Sequence, residues 1–271
     1  MEKIAASVGL LTLNSQKHIE QCLDSVKDFE DIFLLDGNST DETLTIAKRY
    51  NIPVYKQVET DAPNVVITNF TEMREKSLAL SKKDWFFFLD SDEFTTPELI
   101  EEVREVLKTA TRDTVFLIQK KYTVKGKKIE HAFNYPNYYP RLFSHTNGVH
   151  FKAGKNVHEQ VNIPEGYKVV KLKGAVYSAY PDTYAQCVKK DEYYLELARH
   201  NMFPGKEKRV SYARSLKISL RYFLRAGNIF YKTLRTYLKH GYTNSLPFLH
   251  AWRHVRYHLI ISWYCLKQMV V

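Results

Sequence analysis

The chain has 271 residues, 44% hydrophobic and 26% charged, proportions of a globular protein and not of a disordered one. Its 10 Gly and 9 Pro exclude collagen-like sequence, and its 3 Cys, far apart at Cys22, Cys187 and Cys265, leave no CxxC pair for a zinc ribbon or a thioredoxin-type site. The net charge of +10 is unevenly spread: residues 1–198 hold 26 basic and 29 acidic side chains, whereas residues 199–271 hold 14 basic side chains and one acid, Glu207.

The first half of the chain alternates strands and helices. Residues 4–13 read as a buried strand, and residues 17–27 place Ile19, Cys22, Leu23 and Val26 on one helical face. A short apolar strand at 31–36 follows. Ser39 to Glu42 fits a capping box for a helix over 41–50. A third strand covers 52–57 and a helix 69–82. Residues 84–90 (DWFFFLD) are apolar on both faces, as a central strand requires. Thr96-Pro97 then opens another helix. This rhythm predicts an α/β fold with a mostly parallel sheet and helices on both faces. Residues 113–180 read as further strands of the same sheet with loops. From 182 the pattern is helical, over 182–201, 208–240 and 246–268, with a break at Pro204-Gly205. The expected division is therefore a catalytic α/β domain over 1–181 and a basic helical region over 182–271.

The start of the chain is mildly apolar but broken by polar residues, so it reads as a strand and no secretory leader is expected. The nearest candidate for a membrane span, Tyr257 to Leu266, is too short to cross a bilayer. With so few cysteines, a reduced cytoplasmic setting is the default expectation.

The strongest chemical signal is Asp90-Ser91-Asp92-Glu93, directly after an apolar strand. In an extended chain Asp90 and Asp92 would point the same way. Two hard carboxylates at the carboxyl edge of a sheet suit Mg²⁺ or Mn²⁺ shared with substrate phosphates. One chemistry of this type is a phosphatase of the haloacid dehalogenase type. This sequence lacks the Thr expected two positions after the second acid and has no acidic pair after a later strand.

The other chemistry is nucleotide-sugar transfer. The run Leu11-Thr12-Leu13-Asn14, with Ile19 and Cys22 to Val26, is similar to the first strand and helix of family 2 glycosyltransferases. Leu34-Leu35-Asp36-Gly37-Asn38-Ser39-Thr40-Asp41 resembles that family's nucleotide-binding turn. Asn69-Phe70-Thr71 to Arg74 resembles its third helix, with Glu75 where the family has Asn. Asp84-Trp85 and Leu89 to Glu93 resemble its metal-binding strand. Tyr139 to Phe143 and Val157-His158-Glu159 resemble later elements of a subgroup that contains lipopolysaccharide core glucosyltransferases. The resemblance covers about residues 4–180 and implies the GT-A fold.

It further implies a nucleotide-diphosphate donor, UDP-linked by preference, and an inverting transfer to a glycan or lipid-linked acceptor in envelope synthesis. By the same resemblance Thr12, Asn14, Asp36, Ser39, Arg74, Asp90 and Arg141 would contact the donor or acceptor. Asp90, Asp92 and His158 would hold Mg²⁺ or Mn²⁺. Glu159 is the first candidate for the general base and Glu93 the second.

In residues 208–240, Ala213, Leu216, Leu220, Phe223, Gly227, Phe230, Leu234 and Tyr237 recur at spacings of 3 and 4 beside a basic stripe. One reading packs the apolar stripe on the catalytic domain and leaves the basic flank in water. The other lays residues 208–268 on an anionic membrane, giving peripheral attachment at the inner face of the plasma membrane. A basic nucleic-acid-binding protein ranks behind both, because no sequence-reading motif accompanies the charge.

Overall fold

The computed structural model describes residues 2–152, 160–202 and 212–267. They form two compact units, one of residues 1–121 with 136–178 and the other of 122–135 with 179–271. The elements in chain order are β1 (Ile4–Thr12), α1 (Ile19–Val26), β2 (Phe29–Asp36), α2 (Thr43–Arg49), β3 (Val54–Lys56), α3 (Phe70–Leu80), β4 (Trp85–Asp90), β5 (Glu93–Thr95) and α4 (Pro97–Leu107). There follow β6 (Thr114–Val124), β7 (Lys127–Ile129), β8 (Tyr138–Ser144), β9 (His150–Phe151), β10 (Val161–Asn162), β11 (Lys168–Ala179), α5 (Tyr184–Met202), α6 (Tyr212–His240) and α7 (Phe248–Lys267).

The main sheet runs β3-β2-β1-β4-β8-β6-β11-β5. Strands β3, β2, β1 and β4 are parallel. The pairs β4–β8, β6–β8 and β5–β11 are antiparallel. The sheet is thus mixed, and the mostly parallel expectation holds only for its first half. The βαβ pattern stops at β4, and antiparallel neighbours need no crossover helix.

Strand alternation divides the core between two faces. Val8, Leu10, Phe87 and Leu89 meet Ile19, Leu23 and Val26 of α1, Ile46 of α2, and Leu99 and Val103 of α4. On the other face Phe33, Phe86, Val115 and Phe143 pack with Leu78 of α3 and Phe151 of β9. As expected, α4 opens at Thr96-Pro97 with Pro97 in its first turn; Thr96 also caps it, its Oγ1 accepting from Leu99 N at 3.2 Å. The capping box at Ser39–Glu42 does not form. Helix α2 begins at Thr43, whose N–H donates to Asp41 Oδ1 at 2.9 Å, while Ser39 is engaged by Asp36.

In the second unit Val124 and Ile129 of the β6–β7 hairpin and Ala132 just after it pack with Leu246 and Ala251. Leu195 of α5 packs with Ile261 and Cys265 of α7. Helix α6 runs against α7, burying Ser215, Ser219, Ala226 and Thr233. Its apolar stripe is not the packed face: Leu216, Leu220, Phe223 and Leu234 are all exposed. Small side chains let two helices approach closely, so the small face wins the interface and the leucines are left outside.

Candidate active site

The parallel register places the acidic residues side by side. Thr12 pairs with Asp36 across β1–β2, and Leu11 pairs with Asp90 across β1–β4. Asp36 and Asp90 therefore end the two strands that flank β1, about 10 Å apart at ordinary strand spacing. Ligands of such sheets bind beyond the carboxyl ends of the strands.

On the β2 side, Asp36 is buried and accepts three hydrogen bonds. Thr12 Oγ1 donates to its Oδ1 at 2.7 Å, Ser39 Oγ donates to Oδ1 at 2.6 Å, and Ser39 N–H donates to Oδ2 at 2.7 Å. Asn14 N–H donates to Ser39 Oγ at 2.9 Å, and Thr40 N–H donates to Asn14 Oδ1 at 3.0 Å. Asn14 Nδ2 donates to Asn64 Oδ1 at 2.8 Å. Four of the expected donor-side residues thus form one connected network, with Asn14 at its exposed rim. Gly37 is required here, because a Cβ would stand 2.5 Å from the carbonyl oxygen of Val65. Gln57 braces the same turn, donating to the carbonyls of Thr12 and Leu35 at 3.1 and 3.0 Å.

On the β4 side, the strand ends at Asp90 and the chain turns at Ser91-Asp92. The extended geometry expected for Asp90 and Asp92 does not persist past Asp90, and the turn itself presents the second carboxylate. Asp92 is exposed, and the Asp90 side chain is 38% exposed. Ser91 Oγ lies 2.9 Å from Ser15 Oγ, which ties this turn to the loop before α1.

Below the turn lies a buried ionic group. Arg74 donates to Asp90 Oδ1 and, at 3.3 Å, to the Leu89 carbonyl. Arg141 donates to Glu93 Oε2 at 2.6 Å and Oε1 at 2.9 Å, and to the Phe88 carbonyl at 3.1 Å. Lys120 Nζ lies 2.7 Å from Glu93 Oε1. Both guanidinium groups stack on the Phe88 ring, at 4.0 Å for Arg74 and 4.8 Å for Arg141. Asp90 N–H donates to Glu93 Oε2 at 3.1 Å.

Burial pushes the Glu93 carboxyl up, but Arg141 and Lys120 outweigh it and the group is lowered to about 2. Burial would lower the Lys120 ammonium, and Glu93 and Asp90 reverse this and raise it. Burial pushes the Cys22 thiol well up, helped by Glu93, Asp92 and Asp90. Its position beneath this acidic turn makes Cys22 an inert packing group.

The structure places Arg74 and Arg141, expected to meet the donor or acceptor, in the buried layer beneath the acidic turn. It places Glu93 there too, held by two cations. Lys120 is not among the residues that the sequence points to. Its only sign is the polar interruption Gln119-Lys120-Lys121 in an otherwise apolar strand. Glu75, standing where the resemblance has Asn, accepts from Phe151 N at 2.5 Å and so fixes β9. His158 and Glu159 lie outside the described residues.

Residues 7–158 match the family described as Glycosyl transferase family 2. The chain belongs to that family. The match places the chain with the nucleotide-sugar-transfer family and not with the phosphatase type, and the α/β sheet has the GT-A architecture. Among relatives, the SunS glycosyltransferase of Bacillus subtilis (strain 168) is 32% identical over 117 residues, 40% of this chain and 25% of SunS. The poly(ribitol-phosphate) beta-N-acetylglucosaminyltransferase TarP of Staphylococcus aureus (strain N315) is 31% identical over 137 residues, 47% of this chain and 38% of TarP. An uncharacterized glycosyltransferase of Rickettsia prowazekii (strain Madrid E) is 26% identical over 218 residues, 76% of this chain and 70% of its own length. The chain thus spans only a quarter of SunS and well under half of TarP. Among solved structures, Staphylococcus aureus TarS in complex with UDP aligns over 97% of this chain and 90% of its own, at 17% identity and a TM-score of 0.49.

Proposed function

We propose that this glycosyltransferase moves a sugar from a nucleoside diphosphate donor, UDP favoured, to a hydroxyl of a glycan or lipid-linked acceptor of the cell envelope, with inversion. The observation that carries the reading is the pairing of two carboxylate elements, Asp36 and the Asp90–Asp92 turn, on the strands that flank β1. In this reading Asp36, ordered by Thr12 and Ser39, meets the base or ribose, and Asn14 lines the rim. Asp90 faces the ribose and diphosphate, oriented from below by Arg74 and from its own backbone by Glu93.

The Asp90–Asp92 turn fits a hard divalent cation. Asp92 is exposed, and Asp90 is more than a third exposed with one oxygen taken by Arg74. No cluster of three or more His, Cys, Asp or Glu among the described residues is arranged to hold a metal by itself. Mg²⁺ is commonly bound by one or two carboxylates together with substrate phosphates, so two protein ligands are the expected complement. Asp90 and Asp92, with His158 as a further candidate, would hold Mg²⁺ or Mn²⁺. When bound, such an ion would neutralise charge on the departing nucleoside diphosphate.

Inversion also needs a carboxylate or imidazole to accept the acceptor's proton. Glu159 is the proposed base. Glu93 does not suit that task, since both its oxygens are held by cations and it gains a proton only near pH 2. Its role here is to hold Arg141, Lys120 and the Asp90 backbone in place.

Calorimetric titration with UDP, GDP, CDP and dTDP, with and without Mn²⁺, tests the reading. Binding of one nucleotide that is Mn²⁺-dependent and lost in Asp92→Ala is the expected result. A folded wild-type protein that binds no nucleotide under any metal condition overturns the donor site.

A further inference from the structure

Helix α6 is 29 residues long, or about 43 Å at 1.5 Å per residue. It carries three separate stripes. Ser215, Ser219, Ala226 and Thr233 face α7 and are buried. A second stripe, at 216, 220, 223, 227, 234 and 238, is apolar and faces solvent. Its exposure runs from 43% at Leu234 through 55% at Leu220 and 59% at Phe223 to 89% at Leu238. A third stripe holds Arg214, Lys217, Arg221, Lys232, Arg235 and Lys239, all exposed. The second and third stripes meet along one edge, where Leu220 and Leu224 share a shallow depression with Lys217, Arg221, Arg225 and Asn228.

The apolar stripe continues onto α7. Phe230 meets Trp252 at 6.5 Å between ring centroids, and Trp252 stacks on Phe248 at 6.1 Å. Phe230 and Phe248 are exposed, and Trp252 is half-buried. Trp and Tyr with one apolar and one polar side favour the boundary between headgroups and acyl chains.

We propose that α6 docks lengthwise on an anionic lipid surface, its leucines and Phe223 entering the acyl boundary and its Lys and Arg reaching the headgroup phosphates. Charge complementarity selects this occupant. Neither α6 nor α7 contains an Asp or Glu. A second copy seated on the stripe would set basic stripe against basic stripe with no acid to pair them. A nucleic-acid backbone would satisfy the cations and leave the leucine stripe in water. An anionic bilayer satisfies both stripes with one contact. The helix lies on such a surface and does not cross it, since no helix among the described residues is long and apolar enough for that.

The test is flotation of the full chain with phosphatidylcholine vesicles, with and without phosphatidylglycerol, at low and high salt. Binding only to the phosphatidylglycerol vesicles, weakened by salt, is expected. Lys217→Gln and Arg221→Gln should each weaken partitioning roughly fivefold, as expected for one basic residue near an anionic surface. Phe223→Asp should abolish it. All three positions are exposed, so the variants should keep the wild-type far-ultraviolet spectrum and melting temperature, which are checked alongside. The proposal is overturned if folded wild type ignores the anionic vesicles, or if it binds both vesicle types equally. Unchanged binding of Phe223→Asp overturns it as well. So does salt-sensitive binding to duplex DNA or RNA without vesicle binding, or a wild-type dimer that Phe223→Asp dissociates while vesicles are ignored.

Discussion

Arg141 grips Glu93 through both carboxylate oxygens, at 2.6 and 2.9 Å, in a part of the protein where both side chains are buried. Lys120 adds a second cation to the same carboxylate. Removing the shared anion leaves the buried Arg141 charge and the partly buried Lys120 charge without their paired carboxylate. Breaking a buried pair in this way costs about 3–5 kcal/mol. Glu93→Gln should therefore lower the unfolding free energy by about that amount in urea denaturation. A Glu93→Gln protein with wild-type stability and no turnover would instead restore Glu93 as a candidate base.

The same group sets an acid limit on stability. Glu93 is lowered from 4.5 to about 2, because the attraction of Arg141 and Lys120 exceeds the opposing effect of burial. The folded value lies below the unfolded one, so the stabilisation is complete above about pH 4.5 and is lost as pH falls toward 2. Unfolding free energy measured between those limits should fall more steeply for wild type than for Glu93→Gln. Parallel curves for the two proteins would show that Glu93 is not the group responsible.

Which features could be read from the sequence follows from their range along the chain. The Asp90–Asp92 pair is visible because a local apolar run delivers it, and the start of α4 because Thr96-Pro97 marks it within two residues. Residues such as Thr12 and Asp36 lie 24 positions apart, and their hydrogen bond depends on a parallel register that periodicity does not encode. The ionic group is harder still. Arg74, Glu93, Lys120 and Arg141 come from α3, β5, β6 and β8, and each alone looks like a surface charge. The sheet's antiparallel half was legible as strands but not as orientations. In α6 the spacing of 3 and 4 marks a stripe, but three stripes share that period. Choosing the inward one needs the partner helix.

Thr12 offers a narrow test of the β2 side. Its hydroxyl is one of three donors to the buried Asp36 carboxylate. Thr12→Val keeps the shape and removes that donor. A buried charged acceptor deprived of a partner costs about 1–3 kcal/mol. Unfolding free energy should drop by that amount. If Asp36 meets the nucleotide as proposed, nucleotide affinity should also weaken in calorimetry, with the response to Mn²⁺ retained. A loss of metal response with intact nucleotide binding would mean that Asp36 and Thr12 serve the β4 side instead.

Neighbouring positions 219 and 220 on α6 should respond in opposite ways. Ser219 is buried at the crossing with α7, its Oγ 2.9 Å from Ser262 Oγ and its carbonyl accepting from Ser262 at 3.0 Å. Leu220 is 55% exposed. Ser219→Leu inserts a branched side chain between two close helices, and overpacking of this kind costs about 1–3 kcal/mol. Leu220→Ser removes an apolar group from water and should change stability by no more than about 0.5 kcal/mol. Thermal or urea unfolding of the two variants ranks them directly. The opposite ranking would mean that the leucine stripe, and not the serine face, packs against the rest of the protein. In that case α6 would have no apolar surface to offer a lipid.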